Sequence, residues 1–553
     1  MSGRTIVLLP SAVVVSKDMQ GLGRFPAIIY PIDQMRMIDF FCNHYLAEGS
    51  GDIALSVVSY EEYEQVEKRI GRRDHVDVIR LDELRDIGHT IAYGIEKSGL
   101  MEGDSLIINF ADIAVMKRPE RPIKDRCVYA IEDVSSKWTY FNYQDCQIIK
   151  FYDKPSGNVS VDTKNMLIGL FQIENPLLLK ELIEECQKED NRELDSFWIA
   201  LQKYSMLRPM EMVCTDEWFD IGHIDKYYDM QMAIKSRTFN HITIDRSRGI
   251  LTKTSDDKEK FIGEIQWYLK LPTDVEYARP RIFSYSTDYM NPYVSMEYYA
   301  YHTLHELFLF GDLSNEQWSN VFRRIRFILN DFRRYSVRDE GIQGSLREMY
   351  LEKTLKRLKE MDGAEDFPEF NKDMNINGTD YISLEEICEL LPDLIEELLM
   401  DVDEFSIIHG DLCFSNIMVD SNYSFIKLID PRGRFGKYDI YGDRKYELAK
   451  LMHSIDGKYD YIIKDKFHLD GKKRFAYKID YDQGADIEEC FFKVFAEEME
   501  ADARAIKLIE SLLFFSMIPL HKESPSQQKV MLGTAVSLLD EVSDIKTAGR
   551  RVK

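Results

Sequence analysis

The sequence predicts an α/β chain of two domains. Residues 1–235 form an α/β domain on a largely parallel sheet. Residues 236–553 form an α+β domain, a small strand-rich lobe followed by a large helical one. Three observations carry this. At 553 residues the chain exceeds one ordinary domain. In the first half short apolar runs alternate with helical patterns, as strands joined by crossover helices require. From Ser314 onward helical periodicity dominates.

In the first half, strands are expected over Thr5–Leu9, Asp52–Val58, His75–Arg80, Ser105–Phe110, Cys127–Glu132 and Gln147–Phe151. Helices are expected over Gln34–Ala47, Glu61–Arg69 and Thr90–Ser98. The opening Met1–Val15 carries Arg4 and an apolar run, but Pro10 interrupts it and Ser16-Lys17-Asp18 offers no small-residue cleavage site. A first buried strand is therefore expected, not a secretory signal. The pattern changes near residue 236. Phe239–Ile244 and Gly249–Lys253 read as two strands, and Asp256–Leu271 as a helix stopped by Pro272. Helical patterns follow over Asn315–Tyr335, Leu346–Met361, Ser383–Met400, Tyr441–Ile455 and Asp486–Leu513.

Composition bounds the partners. Asp and Glu total 96 against 71 Lys and Arg, a formal charge of −25 that repels nucleic acid and anionic membrane. The longest apolar runs are too short for a bilayer, so no membrane insertion is expected. The eight cysteines show no CxxC or metal-knuckle spacing, which points to a reducing, cytoplasmic setting. Whether the chain forms a homo-oligomer stays open.

The most specific chemistry lies in Ile407-Ile-His409-Gly410-Asp411-Leu-Cys-Phe-Ser-Asn416, followed by an apolar strand and Asp430-Pro-Arg-Gly433. Phosphoryl transfer needs positioning, a divalent cation and charge neutralisation. Asp411 on a tight loop suits a base toward an attacking hydroxyl; Asn416 and Asp430 supply hard oxygens for Mg²⁺. His409 is expected to hold the loop. This stretch resembles the aminoglycoside phosphotransferase and choline kinase-like family of small-molecule kinases, over about 240–553. The resemblance implies ATP and Mg²⁺, Asp411 as catalytic base, Asn416 and Asp430 as metal ligands, and an Asp443…Glu447-Leu-Ala element that buttresses the loop. Lys253 is the candidate for the phosphate-binding strand lysine, with Glu264 as its partner. Asp245-Arg-Ser-Arg-Gly249 is a short substitute for a Gly-rich loop, and Val294–Tyr299, including Glu297, resembles the purine-binding hinge.

The first half carries four pieces in order: Gly21-Leu-Gly23-Arg24-Phe-Pro26, a buried strand ending in Asp112, Phe151-Tyr-Asp153-Lys154-Pro155, and Trp218-Phe-Asp220-Ile-Gly222. Acids at strand ends sit where open α/β sheets bind ligands. The pieces resemble sugar-phosphate and phosphocholine nucleotidyltransferases, which implies a Rossmann-like mixed sheet, with Asp112 and Asp220 as Mg²⁺ ligands. Lys154 is then the contact to substrate phosphate. Pro10-Ser-Ala12 follows the first strand where the Gly-rich loop belongs, and Ala27 replaces the lysine after Pro26; Arg24 or Lys17 is the candidate substitute at the triphosphate. Together the halves imply a bifunctional enzyme. One half phosphorylates a small hydroxyl compound (a sugar, polyol or amino alcohol). The other transfers a nucleotidyl group, from CTP or another NTP, to that phosphate ester, for capsule or lipooligosaccharide. The alternative is a kinase with a nucleotidyltransferase-like binding or regulatory domain. An amino-alcohol cation would call for an aromatic cage, for which Tyr298, Tyr299, Tyr301 and Trp318 are the available rings.

Overall fold

The computed structural model describes residues 3–32, 35–46, 52–118, 123–155, 160–189, 193–223, 226–227, 240–245, 247–361, 367–470 and 475–547. Gln34, Ala47, Phe239 and the 236–239 part of the expected junction lie outside them. The chain forms two compact units, 1–234 and 235–553.

The first unit is built on a nine-stranded sheet. Thr5–Ser11 is its apolar spine; Ile6, Val7, Leu8 and Leu9 are all buried. Ser105–Asn109 and Ile53–Ser59 flank it in parallel, and Val76–Arg80 continues the parallel run. Strands covered on both faces read as unbroken apolar runs, which is why they are visible in the sequence. The sheet is mixed, as the nucleotidyltransferase resemblance implies, with this parallel run on one side and antiparallel pairing on the other. Asn165–Ile173 pairs antiparallel with Ser105–Asn109, with Arg126–Ile131 and, at one residue pair, with Thr139–Gln144. Thr139–Gln144 and Gln147–Asp153 form a hairpin, because the two residues between them, Asp145 and Cys146, both take positive φ (50° and 63°). That is the tight-turn geometry which forces antiparallel pairing. Two short strands, Ile113–Val115 and Trp218–Asp220, pair off the main sheet.

The second unit opens with a four-stranded antiparallel sheet, in the order Asn240–Asp245, Ile250–Ser255, Tyr293–Glu297, Ile282–Ser286. Helix Lys258–Lys270, capped by Asp257, buries Phe261, Glu264, Ile265, Trp267 and Tyr268. The rest is mainly helical. The expected helix over Leu346–Met361 is part of a longer one: Gly341–Leu346 runs into a π turn, Arg347–Glu352, and on into Lys353–Lys359. The expected helix over Tyr441–Ile455 begins only at Arg444, because Tyr441–Gly442 pairs with Ser406–Ile407 and Asp443 caps the helix. The stretch expected as one helix over Asp486–Leu513 is two, Ile487–Val494 and Ala496–Met517. Trp318 is fully buried beside Phe308, Phe322 and Phe414, so it is a core residue and no cage wall. Among the described residues no helix is long and apolar enough to cross a membrane.

Candidate active sites

In the second unit, strand Phe405–Ile407 leads into the His409–Asp411 loop. A 3-10 turn, Phe414–Asn416, follows. The hairpin Ile417–Val419 with Ile426–Leu428 then delivers Asp430. The loop is tied down by its own backbone. The N–H groups of His409 and Gly410 donate to the two carboxylate oxygens of Glu447 at 2.8 and 2.9 Å. His409 Nε2 donates to the Ile429 carbonyl at 2.9 Å, and its Nδ1 accepts the Asp411 N–H at 3.3 Å. Burial pushes this imidazole down to about 4, so it stays neutral and structural. Asn416 Nδ2 donates to the Asp411 carbonyl at 2.9 Å and to Asp411 Oδ2 at 3.2 Å.

Asp411 itself pairs with Lys450, 2.8 Å away, a residue the motif reading missed. Burial would raise the carboxyl; the Lys450 ammonium outweighs it and holds Asp411 well below the usual carboxylate range. Lys450 sits one turn beyond Glu447 on helix Arg444–Ile455, so one helix face serves the whole loop. That spacing was the available signal.

The small lobe reaches the same place. Lys253, 5% exposed, donates to both oxygens of Glu264 (3.0 and 2.9 Å) and to Asp430 Oδ1 (2.7 Å). Burial and the nearby Asp430 push Glu264 up to about 7. Burial alone would lower Lys253, but the Asp430 and Glu264 carboxylates outweigh it and raise it. Asp430 stands at φ 55°, with its N–H donating to the Tyr268 hydroxyl at 3.0 Å. Gly433, at φ 69°, packs backbone to backbone against Gly263; a Cβ there would lie 2.2 Å from the Gly263 carbonyl carbon. Only glycine permits both the dihedral and the contact. Asn416 Oδ1 and the half-exposed Asp430 carboxylate are hard oxygens that fit Mg²⁺ with room for water.

The other small-lobe candidates are less engaged. The turn at Asp245 is closed by Ser247 Oγ and the Arg248 N–H, both donating to Asp245 Oδ1. Glu297 accepts from the Tyr299 hydroxyl at 2.6 Å, and its N–H goes to the Arg281 carbonyl. The Tyr298 N–H goes to Gly249, so neither of these two amides of the hinge is free for a base.

In the first unit, the pairing of Ile113–Val115 with Trp218–Asp220 sets Asp112 beside Asp220. Both carboxylates crowd Gly222, where a Cβ would lie 2.6 Å from Asp112 Oδ2 and 3.2 Å from Asp220 Oδ1. Burial and the Asp220 charge push Asp112 up to about 6. Asp220 accepts from the Gly222 N–H at 2.6 Å and pairs with His223 Nδ1 at 2.7 Å, which raises the imidazole. His223 had no role in the sequence reading. Lys154 is exposed, at φ 41°, with its N–H on the Trp138 carbonyl; its charge reaches Asp112 and lowers it. The Trp138 ring lies 4.5 Å from His223 and 5.8 Å from Trp218, joining the Lys154 segment to the Asp220 segment. Among the described residues no three His, Cys, Asp or Glu side chains gather as a metal cage. Two crowded carboxylates with an incomplete shell suit Mg²⁺ shared with substrate phosphates. Arg24 is taken up by Glu61 and Glu62. Lys17, itself exposed, opens a 3-10 turn that buries Met19, Gly21 and Leu22.

Comparison with protein-family models and with curated proteins gives no match. Among solved structures, the chain is similar to a UDP-glucose pyrophosphorylase complexed with UDP-glucose (12% identity, 43% of this chain and 100% of that one, TM-score 0.33). It is also similar to the inositol-1-phosphate CTP transferase of T. maritima (15% identity, 43% and 98%, TM-score 0.31). A third is HddC from Yersinia pseudotuberculosis complexed with GMP-PN (14% identity, 42% and 99%, TM-score 0.31).

Proposed function

We propose that the second unit is an ATP-dependent kinase for a small hydroxyl compound, and that the first is a nucleotidyltransferase acting on the phosphate ester so formed. The observation that carries this is the convergence of Lys253, Glu264 and Asp430 within hydrogen-bonding distance, from three separate elements, alongside the loop bearing Asp411 and Asn416. Asn416 and Asp430 in the second unit, and Asp112 and Asp220 in the first, would hold Mg²⁺, which would supply charge neutralisation to the triphosphates. Lys253 holds phosphate oxygens. Asp411 orients the acceptor hydroxyl and receives its proton as the new O–P bond forms and the bond from the γ-phosphorus to ADP breaks. In the first unit an ester phosphate oxygen, held by Lys154, attacks the α-phosphorus of CTP or another NTP, and pyrophosphate leaves. Fusing consecutive steps raises the local concentration of the intermediate. An NDP-activated product suits capsule or lipooligosaccharide assembly.

The test is phosphorus NMR on the full chain with Mg²⁺, ATP, CTP and a pool of sugars, polyols, sugar acids, sugar phosphates and amino alcohols. A diphosphodiester signal with pyrophosphate is expected. A phosphomonoester alone, with every NTP tried, overturns the nucleotidyltransferase half. It would favour the second reading, a kinase with a nucleotidyltransferase-like binding domain, which Ala27 and the capture of Arg24 by Glu61 and Glu62 support. No ATP turnover with any acceptor overturns the kinase half.

A further inference from the structure

The side chains around Asp411 are mostly cationic. Lys353 and Arg357 stand one turn apart on helix Lys353–Lys359, directly after the π turn Arg347–Glu352. Arg432 sits on the loop after Asp430, where its Cβ would lie 3.0 Å from a Cβ on Gly410. Lys450 completes the set. Lys353 lies close enough to Arg432, Arg357, Lys450 and Asp411 to feel each charge.

Apart from Lys450, these basic side chains have no carboxylate partner among the described residues. Among the described residues Lys353 makes no ion pair or hydrogen bond through its side chain. Arg357 donates to the Ser516 carbonyl at 2.6 Å, and Arg432 to the Tyr446 hydroxyl at 2.9 Å. The carboxylates they feel are Asp411, already paired with Lys450, and Glu360, an exposed residue beyond Arg357. Burial and the three neighbouring cations push Lys353 down to about 6. In a chain with 96 acidic residues, three half-buried basic side chains gathered without a carboxylate partner beside the Asp411 loop suit an anion from outside, which would also restore the charge of Lys353. A π turn inserted before them is a further mark of a site, since such turns re-aim the following helix face.

We propose that the acceptor hydroxyl belongs to an anionic compound, a phosphate ester or a carboxylic acid, whose charged group is bound by Lys353, Arg357 and Arg432 while its hydroxyl meets Asp411. This rests on the kinase reading of the same site. The step is hydroxyl plus ATP giving phosphate ester, ADP and a proton, the proton passing through Asp411. Cationic amino alcohols are thereby excluded as acceptors, and the burial of Trp318 removes one wall of the cage they would need.

The test uses the full chain with four probes that differ in charge: glucose, glucose 6-phosphate, glucuronate and choline. Calorimetric binding is measured first, then ADP release with Mg²⁺ and ATP. Binding of glucose 6-phosphate or glucuronate at least tenfold tighter than of glucose is expected, and which of the two prevails identifies the anion. Lys353→Met and Arg357→Met are expected to weaken that binding tenfold or more and to raise the acceptor KM, with the KM for ATP within twofold. Lys353→Arg retains binding, which separates charge from packing. Tighter binding of glucose or choline, or variants that raise the KM for ATP instead of the acceptor's, overturns the inference. Anion binding that the Lys353 and Arg357 variants lose, without ATP turnover with any acceptor, keeps the anion site but sinks the kinase reading and with it the bound compound's role as acceptor.

Discussion

Lys450 changes what Asp411 can do. A carboxylate held far below its usual range is a weak base, but it is ionised at every working pH. In a loose phosphoryl-transfer transition state the hydroxyl proton leaves late, so orientation and charge matter more than basicity. Lys450→Met removes the ion-pair partner and leaves burial to raise Asp411. The base must be ionised to act, so the acid limb of kcat/KM is expected to move up by about one pH unit or more. A pH–rate profile with an unmoved limb contradicts this. Asp112 gives a second prediction. Proton and metal compete for the same oxygens, so a carboxyl titrating at about 6 takes metal better as pH rises. Between pH ~5.5 and ~7.5 the apparent Mg²⁺ activation constant for pyrophosphate release is expected to fall roughly fourfold. The grouping of Asp411, Asn416, Lys253 and Glu264 was legible because the proposed chemistry fixes both residue type and spacing. Lys353 and Arg357 were not: helical periodicity says which side chains share a face, not what that face looks at.

At the scale of elements, helix Arg444–Ile455 acts as a clamp. Glu447 satisfies two consecutive backbone donors of the His409–Asp411 loop, and Asp443 caps the helix while accepting from Tyr350 at 2.9 Å. Glu447→Gln keeps one acceptor and turns an amide donor on the other N–H. It is expected to cost about 1–3 kcal/mol in urea unfolding and to lower phosphotransfer; unchanged stability would show the clamp to be dispensable. The clamp was readable as Asp443…Glu447, and the apolar strands as unbroken runs. The hairpin at Asp145–Cys146 was not, since its turn uses no glycine despite positive φ at both positions. The π turn was equally hidden, because one extra residue per turn leaves no mark in composition.

For the whole molecule, the proposed reading assigns the two units separate chemistries, which are expected to fail separately. Asp411→Asn should abolish ADP formation while pyrophosphate release from a supplied phosphomonoester stays within twofold. Asp220→Asn should do the reverse. Loss of both activities in either variant, with an unchanged circular dichroism spectrum, would mean that the two reactions depend on one another. The alternation of strands and helices announced the first unit, and the turn to helical periodicity the second. The mixed sheet was legible only through the family resemblance, because a strand's direction depends on its connection and not on its own residues.

The glycine pair at 263 and 433 has a regulatory consequence. Many kinases are switched by swinging the helix that carries the glutamate partner of the strand lysine, which opens that ion pair. Here the helix backbone at Gly263 touches the turn after Asp430, one residue from Glu264, and Lys253 binds both acids at once. On the proposed kinase reading, swinging this helix outward would have to part the Gly263–Gly433 contact as well as the lysine–glutamate pair.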